Sequence, residues 1–197
     1  MSSVLELLDR RPLLIALAGQ NGAGKTTFYR TYLKPSGLRF VNADEIAKEL
    51  GADAYVAAKM ADALRRELVA RRESFIFETV FSDPVGDKIA FLKDVEQNGY
   101  TVVLFFIGTA GAEVSEERVA MRVLKGGHDV PSVKLMERYP RVMQNLRRAL
   151  VEVSNVRVYD NSDLSDPYRL VATREDAGAV VLRGPAPEWL QPLLPQR

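Results

Sequence analysis

The sequence contains no cysteine and a single histidine, His128. The absence of cysteine excludes disulfide bonds, thiol catalysis and cysteine–zinc sites, and one histidine cannot build a histidine-rich metal site alone. A strong charge of either sign is also lacking, because 27 Lys and Arg against 26 Asp and Glu give a net charge of +1. Domains that coat nucleic acid are usually strongly basic, so we expect no extensive nucleic-acid binding.

Long hydrophobic runs are missing as well. No run approaches the ~20 residues that span a bilayer, so we expect no membrane association. The 197 residues, 47% hydrophobic and 27% charged, have the composition of an ordinary globular protein. We expect residues 1–197 to form a single domain, and the cysteine-free composition is compatible with the reducing cytoplasm, where we expect the protein to act.

Short apolar segments alternate with helical patterns along the chain. The segments that predict buried strands are residues 13–19, 38–41, 74–78, 101–108 and 155–160. Predicted helices cover residues 53–72, 84–97, 113–125 and 131–152. This alternation predicts an α/β fold with a five-stranded, mainly parallel sheet flanked by helices.

Three local patterns refine this prediction. In the helix at residues 53–72, one face carries the apolar residues Val56, Met60, Leu64 and Leu68, which we expect in the core. Pro140 should kink or split the helix at residues 131–152. Residues 168–175 and 179–184 flank an Asp-Ala-Gly turn, which predicts a C-terminal β-hairpin.

The run "GQNGAGKTT" at residues 19–27 matches the phosphate-binding pattern G-x-x-x-x-G-K-[ST] in full. It follows a predicted strand and opens a helix, where backbone N–H groups and the helix dipole bind phosphate. We expect Lys25 to reach the β- and γ-phosphates of a nucleotide and the Thr26 hydroxyl to bind Mg²⁺. The predicted nucleotide-binding residues are Gly19, Asn21, Gly22, Ala23, Gly24, Lys25, Thr26 and Thr27.

Two carboxylates follow predicted strands, at the sheet edge where parallel α/β folds bind ligands. Asp44 is placed for a general base that receives the proton of a substrate hydroxyl, although an Asp here can equally be a helix N-cap. Glu78 is placed to order Mg²⁺ or a substrate hydroxyl, or is simply a charge where the strand reaches solvent. Thr79 follows it and offers a hydroxyl.

Basic residues cluster between the fourth and fifth predicted strands. Arg118 and Arg122 share one helix face, a Gly-Gly-His-Asp-Val-Pro loop follows, and Arg138 comes next. Such cations either form a lid, at about residues 113–145, that closes over the γ-phosphate, or lie on solvated surface. Asn161, after the fifth strand, is a candidate contact of the nucleobase side, but an Asx-turn explains it equally well.

The motifs together resemble the zeta-toxin-like branch of the P-loop kinases. The resemblance rests on "GQNGAGKTT", "NADEIA", "FETVFS", "RVAMRVLKGGHDVP", "RYPRVMQNL" and "VYDNS", and extends from Leu13 to about Asn161. It implies an ATP-dependent kinase that uses Mg²⁺ and transfers the γ-phosphate to a hydroxyl of a small molecule. Because zeta toxins phosphorylate the sugar of UDP-N-acetylglucosamine, a UDP-activated amino sugar is one candidate acceptor.

The resemblance also implies roles for individual residues. Asp44 becomes the candidate base, Glu78 falls on an acidic position close to substrate and metal, and His128 stands where zeta toxins carry a second lid arginine. The residues implied in catalysis are Asp44, Lys25, Arg118 and Arg122. Those implied in substrate binding are Asp44, Glu78, Thr79, His128 and Arg138. An antitoxin-like inhibitor protein is a further implied partner.

Two alternative functions remain open. Asp83-Pro84-Val85-Gly86 fits the D-x-x-G pattern of a nucleotide switch, although an ordinary turn also fits and the chain has no Asn-Lys-x-Asp for guanine. A kinase acting on a nucleic-acid end keeps the chemistry but changes the acceptor, and the near-zero net charge disfavours it.

Overall fold

A seven-stranded sheet forms the centre of the computed structural model, which describes residues 8–124 and 131–195. Its strands are β1 (Leu13–Ala18), β2 (Arg39–Val41), β3 (Phe75–Thr79), β4 (Thr101–Gly108), β5 (Val156–Asp160), β6 (Arg169–Arg174) and β7 (Val181–Leu182). Their order is β2-β3-β1-β4-β5-β6-β7, and the first five are parallel. The α/β prediction is confirmed. The strand number differs because the predicted hairpin, β6 and β7, joins the edge of the same sheet in antiparallel register.

Six α-helices accompany the sheet within the described residues. They are α1 (Lys25–Phe28), α2 (Ala43–Leu50), α3 (Ala54–Ala70), α4 (Asp87–Gln97), α5 (Ala112–Leu124) and α6 (Ser132–Glu152). Tyr29–Leu33 and Lys34–Ser36 extend α1 as a π-helical and a 3₁₀ turn, and Gln191–Leu193 is another 3₁₀ turn. None of the helices in the described ranges is long and apolar enough to cross a bilayer.

Helix α6 runs unbroken through Pro140, so the split that the sequence suggested is not observed. A proline removes one N–H bond to the carbonyl four residues earlier, here that of Met136. Both Pro140 and Met136 are exposed. Water can therefore hydrate that carbonyl, and the packed residues of the same helix hold the turns on either side.

Residues of β1 alternate between two cores, one on each face of the sheet. Leu14, Ala16 and Ala18 belong to one core, whereas Leu13, Ile15 and Leu17 belong to the other. Strand β1 is buried on both faces because helices cover both, which explains its continuous apolar sequence.

The predicted core face of α3 is right in its second half, where Leu68 is buried and Leu64 packs against the core, and wrong in its first half. Val56 and Met60 are each 42% exposed, and the buried residues of α3 are Ala57, Ala61, Arg65 and Leu68. The two alanines allow the helix to pack closely, and the hydrophobic periodicity did not reveal that an arginine shares their face.

The parallel strands bring distant segments to the same end of the sheet, where the carboxyl termini of the strands lie. Ala18 is in register with Thr79, and Gly108 with Asp160. The segments after β1, β2, β3 and β5 therefore leave the sheet at this carboxyl-terminal end, which is where such folds bind ligands. All the predicted site segments that follow strands meet there.

Candidate active site

The segment after β1 forms a compact loop whose backbone can wrap around a phosphate. Gly19 has φ of 140°, and a Cβ there would collide with the carbonyl oxygen of Ile107. Gly24 has φ of 96°, and its added Cβ would lie 2.7 Å from Nδ2 of Asn161. Both positions require glycine, because the backbone is in a region that L side chains rarely adopt and the space is filled.

Lys25 and Thr26 both contact Glu78, at the end of β3. Lys25 is 6% exposed, and its Nζ lies 3.6 Å from Glu78 Oε1 and donates to the backbone oxygen of Gln20 at 3.1 Å. The Thr26 hydroxyl donates to Glu78 Oε2 at 3.1 Å. The carboxylate that the sequence placed at a strand end is thus joined to the two most informative residues of the glycine loop.

Asn42 links this cluster to helix α2. Its Oδ1 accepts from the backbone N–H of Asp44 at 2.8 Å and of Glu45 at 3.4 Å, so Asn42 is the N-cap of α2. Its Nδ2 donates to Glu78 Oε2 at 3.0 Å. The alternative in which Asp44 caps the helix is therefore wrong, and the Asp44 carboxylate is not used as a cap. Asn42 was not among the predicted site residues, although its position just before "ADE" is a typical cap signal.

A cleft of about 580 Å³ adjoins this cluster. Asp44, Glu78 and Thr79 line it together, and the Thr79 hydroxyl also accepts from the backbone N–H of Phe81 at 3.1 Å. The volume is in the range of small-molecule sites. The structure therefore brings Asp44, Glu78 and Thr79 to one cavity beside the glycine loop.

The segment after β5 supports the glycine loop from its other side. Asn161 is buried, and its Nδ2 donates to the backbone oxygen of Ala23 at 2.8 Å. The Tyr168 hydroxyl donates to the oxygen of Gly24 at 3.0 Å and is also hydrogen-bonded to Thr27. Asn161 thus contacts the loop backbone, and a contact with the nucleobase stays a prediction. Tyr168, which no motif marked, is a further support.

The arginines predicted for a lid approach the same region. Arg138 of α6 donates from Nη1 to Asn21 Oδ1, at the tip of the glycine loop, with a distance of 3.5 Å. Arg118 of α5 donates from Nη2 to the backbone oxygen of Ser162 at 3.2 Å. The backbone of Arg122 continues α5, and His128 lies outside the described residues.

The D-x-x-G segment is a structured turn that leads into α4. Gly86 is the N-cap residue with φ of 81°, and Asp83 Oδ2 accepts from the backbone N–H of Lys88 at 3.4 Å. Asn145 of α6 donates to the backbone oxygens of Phe81 and Asp83. These contacts are those of an ordinary turn at the start of a helix.

The oxygen ligands near Lys25 suit a hard cation. Within the described ranges, no group of three or more His, Cys, Asp or Glu side chains could hold a metal ion by itself. Mg²⁺ in nucleotide sites is usually bound by one or two protein oxygens together with substrate phosphates. The Thr26 hydroxyl and the Glu78 carboxylate offer this chemistry, and the tight glycine backbone offers N–H groups to phosphate.

Comparison with known proteins gives the family. The zeta toxin family matches residues 4–170. This chain belongs to the zeta toxin family. The family prediction made from the motifs is thereby confirmed, and a P-loop kinase fold follows from it. No curated protein matches the chain.

Several solved structures share the fold of this zeta toxin family member. A chain of the crystal structure of AvrRxo1-ORF1:-ORF2 with ATP is 19% identical with a TM-score of 0.64, and the alignment covers 92% of this chain and 63% of that one. The PezAT toxin–antitoxin system of Streptococcus pneumoniae gives 20% identity and a TM-score of 0.58, covering 87% and 78%. A gluconokinase from Sinorhizobium meliloti 1021 gives 18% and 0.50, covering 81% and 86%.

These similarities establish the fold. The present chain spans about 63% of the length of the chain that it matches in the AvrRxo1-ORF1:-ORF2 structure. The shared architecture is the mostly parallel sheet with its flanking helices. In the present chain, the glycine loop, Asp44 and Glu78 lie at the ends of its strands.

Proposed function

We propose that this protein is a kinase that transfers the γ-phosphate of ATP to a hydroxyl group of a small molecule. The observation that carries the proposal is the position of Glu78. This carboxylate contacts Lys25 and Thr26 of the glycine loop, and it lines one cleft with Asp44. A nucleotide held by the loop and an acceptor held in the cleft would then be neighbours, which is the arrangement that phosphoryl transfer requires.

Each residue has a defined task in this proposal. ATP bound at the loop supplies the phosphoryl group. Thr26 and Glu78 would hold Mg²⁺, which would neutralise charge on the phosphates. Lys25 stabilises negative charge on the β- and γ-phosphates. Arg118, Arg122 and Arg138 add positive charge from the lid helices and exclude water.

Asp44 acts on the acceptor. It receives the proton of the acceptor hydroxyl as that oxygen bonds to the γ-phosphorus, while the bond from this phosphorus to the leaving ADP oxygen breaks. Asn42 holds the first turn of α2, so it positions Asp44 relative to Glu78. Thr79 contributes a hydroxyl to the same cleft.

The family suggests an acceptor and a partner for the test. A UDP-activated amino sugar is the candidate acceptor from the resemblance to zeta toxins. An antitoxin-like inhibitor is the candidate partner, since the PezAT proteins form a toxin–antitoxin system. We propose both as hypotheses that follow from the kinase function.

A mass-spectrometric screen tests the kinase directly. Metabolite extract, supplemented with UDP-N-acetylglucosamine, is incubated with the protein, ATP and Mg²⁺, with Lys25→Ala as the control. We expect one metabolite to gain the mass of one phosphate group with the wild type only. Depletion of ATP to ADP and free phosphate, with no modified metabolite, would contradict the proposal.

A further inference from the structure

Residues 184–194 follow β7 and pack onto the sheet, although they lie beyond residues 4–170, which the zeta toxin family matches. Leu190 is fully buried, and Trp189, Leu193 and Leu194 pack against the core. The 3₁₀ turn Gln191–Leu193 lies against α6. This segment is therefore an ordered part of the fold, and the proposed transfer assigns it no task.

Trp189 contacts the ends of two central strands. Its ring covers Gly108, the last residue of β4, so closely that a Cβ on Gly108 would collide with it. Its Nε1 donates to Asp160 Oδ1 at 3.1 Å. Gly108 and Asp160 are in register at the carboxyl ends of β4 and β5. Trp189 therefore holds the point at which both strands leave the sheet.

Asp160 joins Trp189 to the segment after β5. It is 8% exposed, and its Oδ1 also accepts from the Ser162 hydroxyl at 2.6 Å and from the Ser162 backbone N–H at 3.2 Å. Its Oδ2 accepts from Arg169 of β6 at 3.1 Å. A buried carboxylate is costly unless donors surround it, so these donors fix its position and with it the course of the chain after β5.

The two residues after Asp160 support two parts of the candidate site. The Asn161 backbone N–H donates to the oxygen of Gly108 at 2.9 Å, and its side chain donates to the oxygen of Ala23 in the glycine loop at 2.8 Å. The backbone oxygen of Ser162 accepts from Arg118 of α5 at 3.2 Å. A shift of residues 160–162 would therefore displace a support of the glycine loop and a contact of Arg118 together.

We infer that Trp189 is a positioning residue for the nucleotide site: through Asp160 it holds Asn161 and Ser162 where they support the glycine loop and Arg118. This inference rests on the proposed binding of ATP at that loop, and it adds a residue that lies far from the loop in the sequence. Coupling between two sites is reciprocal, so ATP bound at the loop should also alter the surroundings of Trp189.

Trp189→Phe tests the inference, because it keeps an aromatic ring over Gly108 and removes the N–H donor to Asp160. We expect Kd for ATP with Mg²⁺, measured by calorimetry, to rise about 3- to 10-fold, since a hydrogen bond to a charged group is lost and part of that loss reaches the loop. Leu190→Ala is the matched control. It opens a cavity in the same segment and should lower Tm, but it should leave Kd within about twofold of the wild type.

A double-mutant cycle tests the route through Asp160. Asp160→Asn keeps the shape of the side chain but replaces one acceptor oxygen with an NH₂ group. If Trp189 acts through this carboxylate, Trp189→Phe should raise Kd for ATP less than about twofold in the Asp160→Asn background. A rise in that background as large as in the wild type would overturn the route.

The emission of Trp189 gives a second measurement, because the chain contains no other tryptophan. We expect ATP with Mg²⁺ to change the emission of the wild type and to leave that of Lys25→Ala unchanged. This measurement needs no substitution at Trp189. Should Trp189→Phe fail to fold by circular dichroism, unchanged emission of the wild type at saturating ATP would overturn the inference.

The outcomes separate this inference from the proposed function. A Kd of folded Trp189→Phe within about twofold of the wild-type value would overturn the positioning role and leave the kinase function standing. Absence of ATP binding by the wild type would instead overturn the proposed function, and with it the inference that rests on it.

Discussion

Asn42 offers a test of how the site is held together, because its side chain makes two separate sets of contacts. Asn42→Ala removes the cap of α2, which costs about 1 kcal/mol. It also removes the donor to the Glu78 carboxylate at 3.0 Å, and a hydrogen bond to a charged group contributes about 2 kcal/mol. We therefore expect a loss of about 3 kcal/mol in the free energy of unfolding, or a fall in Tm of about 6–12 °C for a protein of this size.

Asn42→Ser separates the two contributions. Serine is as good an N-cap as asparagine, but its hydroxyl is too short to cap the helix and also reach Glu78. The expected loss is then about 2 kcal/mol, and phosphate transfer should fall in both variants because Glu78 loses a positioning contact. Asp53→Ala is the control: Asp53 caps α3 through the N–H groups of Tyr55 and Val56, so it should cost about 1 kcal/mol and leave transfer unchanged.

Urea denaturation and single-turnover phosphate transfer measure these effects on the same preparations. The expected order of stability is wild type, then Asn42→Ser, then Asn42→Ala. If Asn42→Ser matched the wild type in both stability and transfer, Asn42 would be only a helix cap. The proposed connection between α2 and Glu78 would then be refuted.

Two further predictions concern the glycine loop and the lid. Gly24→Ala places a Cβ 2.7 Å from Asn161 Nδ2, so ATP affinity measured by calorimetry should fall at least about tenfold. Gly37→Ala is the control, because Gly37 also has a positive φ, 68°, but nothing lies within 4 Å of its added Cβ, so it should leave the affinity unchanged. Equal affinity of the two variants would contradict the loop geometry. Arg138→Met should lower kcat about 10²-fold with little effect on folding, and Arg147→Met, on the exposed part of the same helix, should not. An unchanged kcat in Arg138→Met, or an equal loss in both variants, would disprove the lid assignment.

Much of the fold followed from the sequence because β1 and most of β4, at the centre of the sheet, are unbroken apolar runs. Strand β4, for example, is buried along nearly its whole length, and its pattern needs no knowledge of its partners. The hairpin was recognised from its turn. The pairing of β6 with β5 was not predicted, because sheet order depends on contacts between segments far apart in the sequence.

The residues of the candidate site also differ in how far the sequence alone marks them. Lys25, Thr26 and Glu78 could be selected because a motif or a strand end marks them. Arg65 could not be selected, since arginine is rarely buried. The cost of burying its charge is offset here by contacts with Phe77, on β3, and with Asp62, on the previous turn of α3.

The error on α3 has a related cause. Hydrophobic periodicity ranked Val56 and Met60 above Ala57 and Ala61, yet the small residues permit the closer packing. The cap of α2 illustrates the opposite case. Asn42 had a readable cap signal, but its second contact, with Glu78, became visible only when β2 and β3 were placed side by side.

The most direct test of the kinase mechanism is single-turnover transfer from γ-labelled ATP, with metabolite extract as acceptor, by Asp44→Asn and by Glu45→Gln. Both acids lie in the first turn of α2, so both changes remove one charge near the same helix N-terminus, but only Asp44 lines the cleft. A general base predicts that Asp44→Asn slows transfer about 10²- to 10⁴-fold while ATP still binds, and that Glu45→Gln stays near the wild-type rate. Transfer by Asp44→Asn within about threefold of the wild-type rate would contradict the mechanism, because so small a loss is well below what general-base catalysis contributes.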